Sequence, residues 1–142
     1  MKKLLAFTVA VTLAGGFATT AIAAGGATTE VTTAHAHALM AQHAGTVEMS
    51  HTHLHHVINC LVGSKGVGFD AAAGDPCKDQ GDGAIADAAN DQSLDAKLKE
   101  ALAQAKAGLD MKQLAAVHEQ AAKVAATLEN TPAQKSSGGY SW

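Results

Sequence analysis

The sequence contains no arginine, and aromatic residues make up only 4% of the chain. Proteins that bind nucleic acids normally present a basic face with arginines that fork onto phosphates. Without Lys2 and Lys3, eight lysines oppose thirteen acidic residues, which gives a formal charge of −5 with neutral histidines. We therefore expect no nucleic-acid partner, whereas an acidic surface would attract metal cations.

Proline and runs of β-branched residues are also scarce, since Pro76 and Pro132 are the only prolines. After residue 84 the chain is rich in alanine, leucine, lysine and glutamine, which favour helices. The composition predicts an all-α fold. We expect a small antiparallel helical bundle of three to four helices with a long Gly/Asp-rich loop tied by a disulfide.

Long apolar runs are absent except at the start of the chain, where two lysines precede an apolar segment and an Ala-x-Ala site at residues 21–23. This pattern is typical of a signal peptide over residues 1–23, which is too short and interrupted to be a comfortable membrane span. We expect a periplasmic or secreted protein without a membrane span after cleavage. Residues 24–29 would form a flexible leader, residues 30–130 a helical bundle domain, and residues 131–142 a flexible tail.

Apolar residues recur at three- and four-residue spacing in four segments. They predict helices over residues 30–44, 46–62, 91–107 and 110–128. We expect a break or kink at Gly45, a helix end at Gly108 in the C′ position, and Asp110 as the N-cap of the last helix. Residues 63–83 are rich in glycine and aspartate and predict a loop.

The chain contains two cysteines, Cys60 and Cys77. In an exported protein they are expected to form a disulfide, because the bacterial periplasm is oxidising. The alternative is that two thiolates serve as soft metal ligands for copper(I) or zinc.

Histidine is concentrated in one part of the chain. Seven of the eight histidines lie within 22 residues: His35, His37, His43, His51, His53, His55 and His56. Neutral imidazole is a good ligand for copper and zinc. We therefore expect a histidine-rich protein that binds copper or zinc for sequestration, delivery or sensing.

Helical spacing ranks the candidate ligands. His51 and His55 are four residues apart on one helix face and form the best predicted clamp, with a third ligand to come from elsewhere. His53 and His56, three residues apart, form a weaker pair. His35 and His37, two residues apart, converge only if the start of the first helix is frayed.

Two further histidines are expected on apolar faces. If one helix continued through Gly45, His43 would lie in the middle of the buried stripe, and His118 lies in the apolar stripe of the last helix. They could form an interior pair that binds a metal or haem, although a core histidine with an ordinary hydrogen bond is the simpler interpretation for His118.

Other functions receive less support from the sequence. The Asp-rich stretch does not follow the EF-hand pattern, so a turn-rich loop is favoured over a calcium site. The absence of a nucleophile elbow and of an H-E-x-x-H motif leads us to expect no enzyme. The alternatives to copper or zinc binding are a helical envelope module that binds another protein without metal, and a haem or iron electron-transfer bundle.

Overall fold

A computed structural model of the chain describes residues 22–132 and 134. This part of the chain contains five helices and no strands, so the prediction of an all-helical fold is confirmed. The helices are α1 (Ile22–His43), α2 (Val47–Val62), α3 (Ala84–Asp87), α4 (Gln92–Leu109) and α5 (Leu114–Glu129). None of these helices is long and apolar enough to cross a bilayer. The expected signal peptide, apart from its last two residues, and most of the expected tail lie outside the described residues.

The connection between α1 and α2 is a break at Gly45. Helix α1 ends at His43, and α2 begins at Val47 with Thr46 as its N-cap, whose side chain accepts a hydrogen bond from the Met49 N–H at 3.1 Å. The two helices pack against each other, and the Ser50 hydroxyl donates to the Ala41 carbonyl at 2.9 Å. The break turns the two segments into a helical hairpin.

Helix α1 begins earlier than the sequence indicates. Residues 24–29, expected to form a flexible leader, belong to the helix. The buried positions continue at three- and four-residue spacing from the glycine- and threonine-rich start of the helix to its end: Ala27, Val31, Ala34, Ala38 and Ala41. These small side chains allow α1 to pack closely against α2 and α5, which stabilises the helix beyond its weak local propensity.

Helices α4 and α5 follow the predicted leucine pattern, but their ends differ from the prediction. Gly108 does not terminate α4, because it lies inside the helix and is buried. A Cβ at Gly108 would lie 2.6 Å from Leu54 Cδ1, so the glycine provides space for the α2 side chain. Asp110 is the C-cap of α4 and not the N-cap of the next helix, which begins at Leu114 after Gln113.

Residues 63–83 connect α2 to α3 through turns. The disulfide between Cys60 and Cys77 ties this connection to α2, with 5.2 Å between the two Cα atoms, which confirms the predicted pairing. Both sulfurs are therefore bonded, and the alternative use of the cysteines as thiolate ligands is wrong.

The buried side chain of Asn59 gives the connection a second attachment to α2. Its amide nitrogen donates to the carbonyl oxygens of Asp70 at 2.8 Å and of Gly74 at 2.6 Å, and its carbonyl oxygen accepts from the Asp70 N–H at 2.8 Å. All three of these hydrogen bonds join the Asn59 side chain to backbone groups. Residues 70–74 are consequently held beside the second half of α2.

Candidate metal centre

Three half-buried histidines from two helices meet at one point. His37 comes from α1, and His53 and His56 come from α2. His37 Nδ1 lies 3.2 Å from His53 Nδ1 and 3.3 Å from His56 Nδ1. One nitrogen from each of the three rings lies within 4.8 Å of the other two, so these residues could hold a metal ion.

The hairpin geometry explains why these residues meet. His37 and His53 lie at equal sequence distances before and after Gly45, so the antiparallel packing of α1 and α2 places them opposite each other. His56 follows His53 by three residues and therefore lies on the same face of α2. The pair His53 and His56 thus has a third candidate ligand, His37, on the neighbouring helix.

The spacing of the nitrogen atoms suits a transition metal. Two nitrogens that bind one zinc ion at about 2.0–2.1 Å with a tetrahedral angle are about 3.3–3.4 Å apart. The two Nδ1 separations of 3.2 and 3.3 Å are close to this value. The rings are tilted or edge-on to one another, with centroids 4.6 to 5.7 Å apart, rather than stacked face to face.

A backbone carbonyl orients His56. The His56 Nε2 lies 2.7 Å from the Ala73 carbonyl oxygen, which can only accept a hydrogen bond. The neutral ring therefore carries its proton on Nε2 and directs the Nδ1 lone pair towards His37. Metal-binding histidines commonly donate their second N–H to such a carbonyl. Ala73 lies within the 70–74 segment that Asn59 holds against α2. The Asn59 hydrogen bonds therefore help to position the carbonyl that orients His56.

The surroundings also favour neutral imidazole rings. Burial, followed by the proximity of His56 and His53, lowers the pKa of His37 to about 4. Burial and then His56 lower the pKa of His53 as well. Because imidazole binds a metal through an unprotonated nitrogen, the lowered pKa values leave both lone pairs available at neutral pH.

The predicted clamp of His51 and His55 does not contribute to this group. His51 Nε2 lies 3.1 Å from the Met111 carbonyl oxygen, between α4 and α5. His55 Nδ1 lies 3.3 Å from a carboxylate oxygen of Asp70. The two side chains share a helix face, as their spacing predicts, but each has a different partner from another part of the chain.

The remaining histidines lie apart from the group. His43 is exposed, contrary to the expected burial, because α1 ends there and the stripe of α2 does not continue through the break. His118 Nε2 lies 2.8 Å from the Ala44 carbonyl oxygen, so this histidine donates an ordinary hydrogen bond. His35 is half-buried, and burial lowers its pKa, with partial compensation from the Glu129 charge.

Comparisons with protein-family models, with curated proteins and with solved structures find no match to this chain.

Proposed function

We propose that this chain is an exported protein that binds copper or zinc through His37, His53 and His56. The observation that supports this proposal most directly is the approach of three imidazole nitrogens from two helices, at separations of 3.2 and 3.3 Å around His37 Nδ1. The export signal in the sequence supports a periplasmic or secreted location. The metal would be sequestered, delivered or sensed there.

The type of ligand supports copper or zinc over harder ions. Three imidazoles form a nitrogen site, which suits Zn²⁺ and Cu²⁺, whereas Ca²⁺ and Mg²⁺ prefer oxygen ligands. Three protein ligands leave a coordination position for water or for a ligand from a partner. An open position on a half-buried site is consistent with transfer of the metal to another protein.

Metal titration of the untagged mature protein tests the proposal. We expect one Zn²⁺ or Cu²⁺ per chain and a loss of affinity of at least about 100-fold in His37→Ala, since a missing ligand should cost more than a missing supporting hydrogen bond. His51→Ala is the matched control, because His51 is also a half-buried histidine with a ring nitrogen bonded elsewhere. The control should retain the affinity of the wild-type protein.

The opposite pattern would support the clamp of His51 and His55 in place of the three-histidine site. Loss of affinity in His51→Ala with unchanged binding in His37→Ala would contradict the proposed ligands. If the wild-type protein takes up neither metal at neutral pH, the proposed function is wrong.

A further inference from the structure

A second group of chemically active side chains surrounds Glu30 of α1, seven residues before His37. Glu30 is only 1% exposed. Its Oε1 accepts a hydrogen bond from the Gly83 N–H at 2.8 Å, whereas its Oε2 is buried without a hydrogen-bond partner among the described residues. A buried carboxylate oxygen without a donor is unfavourable, so this atom requires an explanation.

Asp87 of α3 faces the same space. A Cβ built on Gly81 would overlap Asp87 Oδ2 and lie 2.9 Å from Glu30 Oε1, so oxygens of both carboxylates lie beside the same glycine. A Cβ on Gly26 would also overlap Asp87 Oδ2 and would lie 3.3 Å from the Gln80 carbonyl oxygen. The two glycines therefore allow two carboxylates and a backbone carbonyl to approach one another closely.

The charges around this group are negative. Burial is the largest of the causes that together raise the pKa of Glu30 to about 7. The hydrogen bond from the Gly83 N–H opposes the shift, whereas the charge of Asp87, a hydrogen bond shared with the Asp87 side chain and the charge of Asp82 add to it. Lys65 pairs with Asp82 at 3.4 Å on the exposed side. Within the described part of the chain, no ion pair involves Glu30 or Asp87. Two adjacent carboxylates of this kind require either a shared proton or a bound cation.

Access and ligand type favour a cation. A cavity of about 310 Å³ borders Glu30 and Gly81, with Asp75, Asp79 and Lys78 also in its lining, and it gives water a route to the Glu30 side of the group. Every candidate ligand is an oxygen atom. Two oxygen atoms that bind the same Ca²⁺ at about 2.4 Å are at most ~4.8 Å apart. The carboxylates of Glu30 and Asp87 can reach this separation, because an oxygen of each lies beside Gly81.

We infer that Glu30 and Asp87, with the Gln80 carbonyl, form a second cation site of the hard-oxygen class that takes Ca²⁺. This site is independent of the three histidines. A cation there joins the first half of α1 to the 79–83 segment and to α3, and so fastens the connection that also carries Cys77. Its function is to stabilise the fold around the disulfide.

The experiment uses the mature protein after treatment with EDTA, at pH 8, where Glu30 is ionised. Equilibrium dialysis with CaCl₂ should show one bound Ca²⁺ per chain. Calcium at about ten times its dissociation constant should raise the unfolding midpoint by about 5 °C. Glu30→Gln should remove both effects, and Asp87→Asn provides the same test if the first variant does not fold.

Two controls separate this site from general charge effects and from the histidine site. Glu100→Gln removes an exposed carboxylate by the same chemical change and should retain the calcium response. His37→Ala should also retain it, so failure of the histidine site and failure of this inference are distinguishable. An absence of calcium binding by the wild-type protein at pH 8, or a full response in both Glu30→Gln and Asp87→Asn, would overturn the inference.

Discussion

His37 Nδ1 lies 3.2 Å from His53 Nδ1 and is also 3.3 Å from His56 Nδ1. A neutral imidazole carries one proton, so His37 cannot donate from Nδ1 to both neighbours at once. The proton of His56 is on Nε2, where the Ala73 carbonyl accepts it. Every choice of tautomer for His37 and His53 therefore leaves at least one of the two contacts without a full hydrogen bond, whereas a metal ion would bind a lone pair from each of the three Nδ1 atoms.

We expect the Asn59 side chain to support the candidate metal centre by positioning the carbonyl that contacts His56. Its side chain makes three hydrogen bonds to backbone groups of residues 70–74, the segment that carries the Ala73 carbonyl. We expect Asn59→Ala to lower the free energy of unfolding by about 2–3 kcal/mol, because three hydrogen bonds to partly buried backbone groups are lost. Zinc affinity should fall 10- to 100-fold as His56 loses its orientation.

Chemical denaturation and zinc titration measure the two effects of Asn59→Ala. The control is Asn130→Ala, an exposed asparagine whose side chain donates to the Ala126 carbonyl at 2.8 Å. That variant should retain the zinc affinity. Unchanged zinc affinity in folded Asn59→Ala would show that the 70–74 segment does not support the centre.

Glu30 should make the stability of the metal-free protein depend on pH. The raised pKa of about 7, against 4.5 in the unfolded chain, means that the folded state prefers the protonated form. The contribution of Glu30 is therefore fully present below pH 4.5 and is lost as the pH rises to about 7. The full effect is on the order of 3 kcal/mol.

The pH experiment must separate Glu30 from the histidines. His35, His37 and His53 have lowered pKa values, so they oppose the Glu30 trend and reduce stability as the pH falls below 6.5. The useful quantity is the difference in unfolding free energy between the wild-type protein and Glu30→Gln in EDTA. As the pH rises from 4.5 to 7, the unfolding free energy of Glu30→Gln should increase relative to that of the wild-type protein. A difference that does not depend on pH would contradict the raised pKa of Glu30.

Gly108 provides a test of the packing between α2 and α4. An alanine Cβ at this position would lie 2.6 Å from Leu54 Cδ1 in the buried core, so Gly108→Ala should lower the unfolding free energy by about 1–3 kcal/mol despite the higher helix propensity of alanine. Gly45→Ala is the matched control, because a Cβ there would have no neighbour within 4 Å. Thermal unfolding should show a lower midpoint for Gly108→Ala only. Equal midpoints in the two variants would argue against the close approach of Leu54.

The sequence predicted those parts of the fold that depend on local patterns. The leucines of α4 repeat clearly enough to indicate the helix, and the two cysteines predict their own disulfide. The start of α1 was missed, because its buried stripe begins with Ala27 among glycines and threonines and shows little contrast in hydrophobicity. Gly108 resembles a helix terminator in sequence, and only the approach of Leu54 from another helix explains why it is a glycine.

The candidate site could be predicted only in part for the same reason. The spacing of His53 and His56 indicates a pair on one face of α2. The four-residue spacing of His51 and His55, however, made that pair the better predicted metal clamp. Contacts with Met111 and Asp70, which come from distant parts of the chain, distinguish the two pairs. His37 and His53 are equally distant from Gly45 in the sequence. This symmetry predicts that the two side chains lie opposite each other, but only if α1 and α2 are assumed to form a hairpin.

The most direct test of the central claim is a crystal structure of the zinc-loaded protein, with anomalous diffraction measured at the zinc edge. The proposed site predicts an anomalous peak within about 2.1 Å of the Nδ1 atoms of His37, His53 and His56. A peak between His51 and His55, or no ordered zinc near His37 in protein that has bound one equivalent, would contradict it.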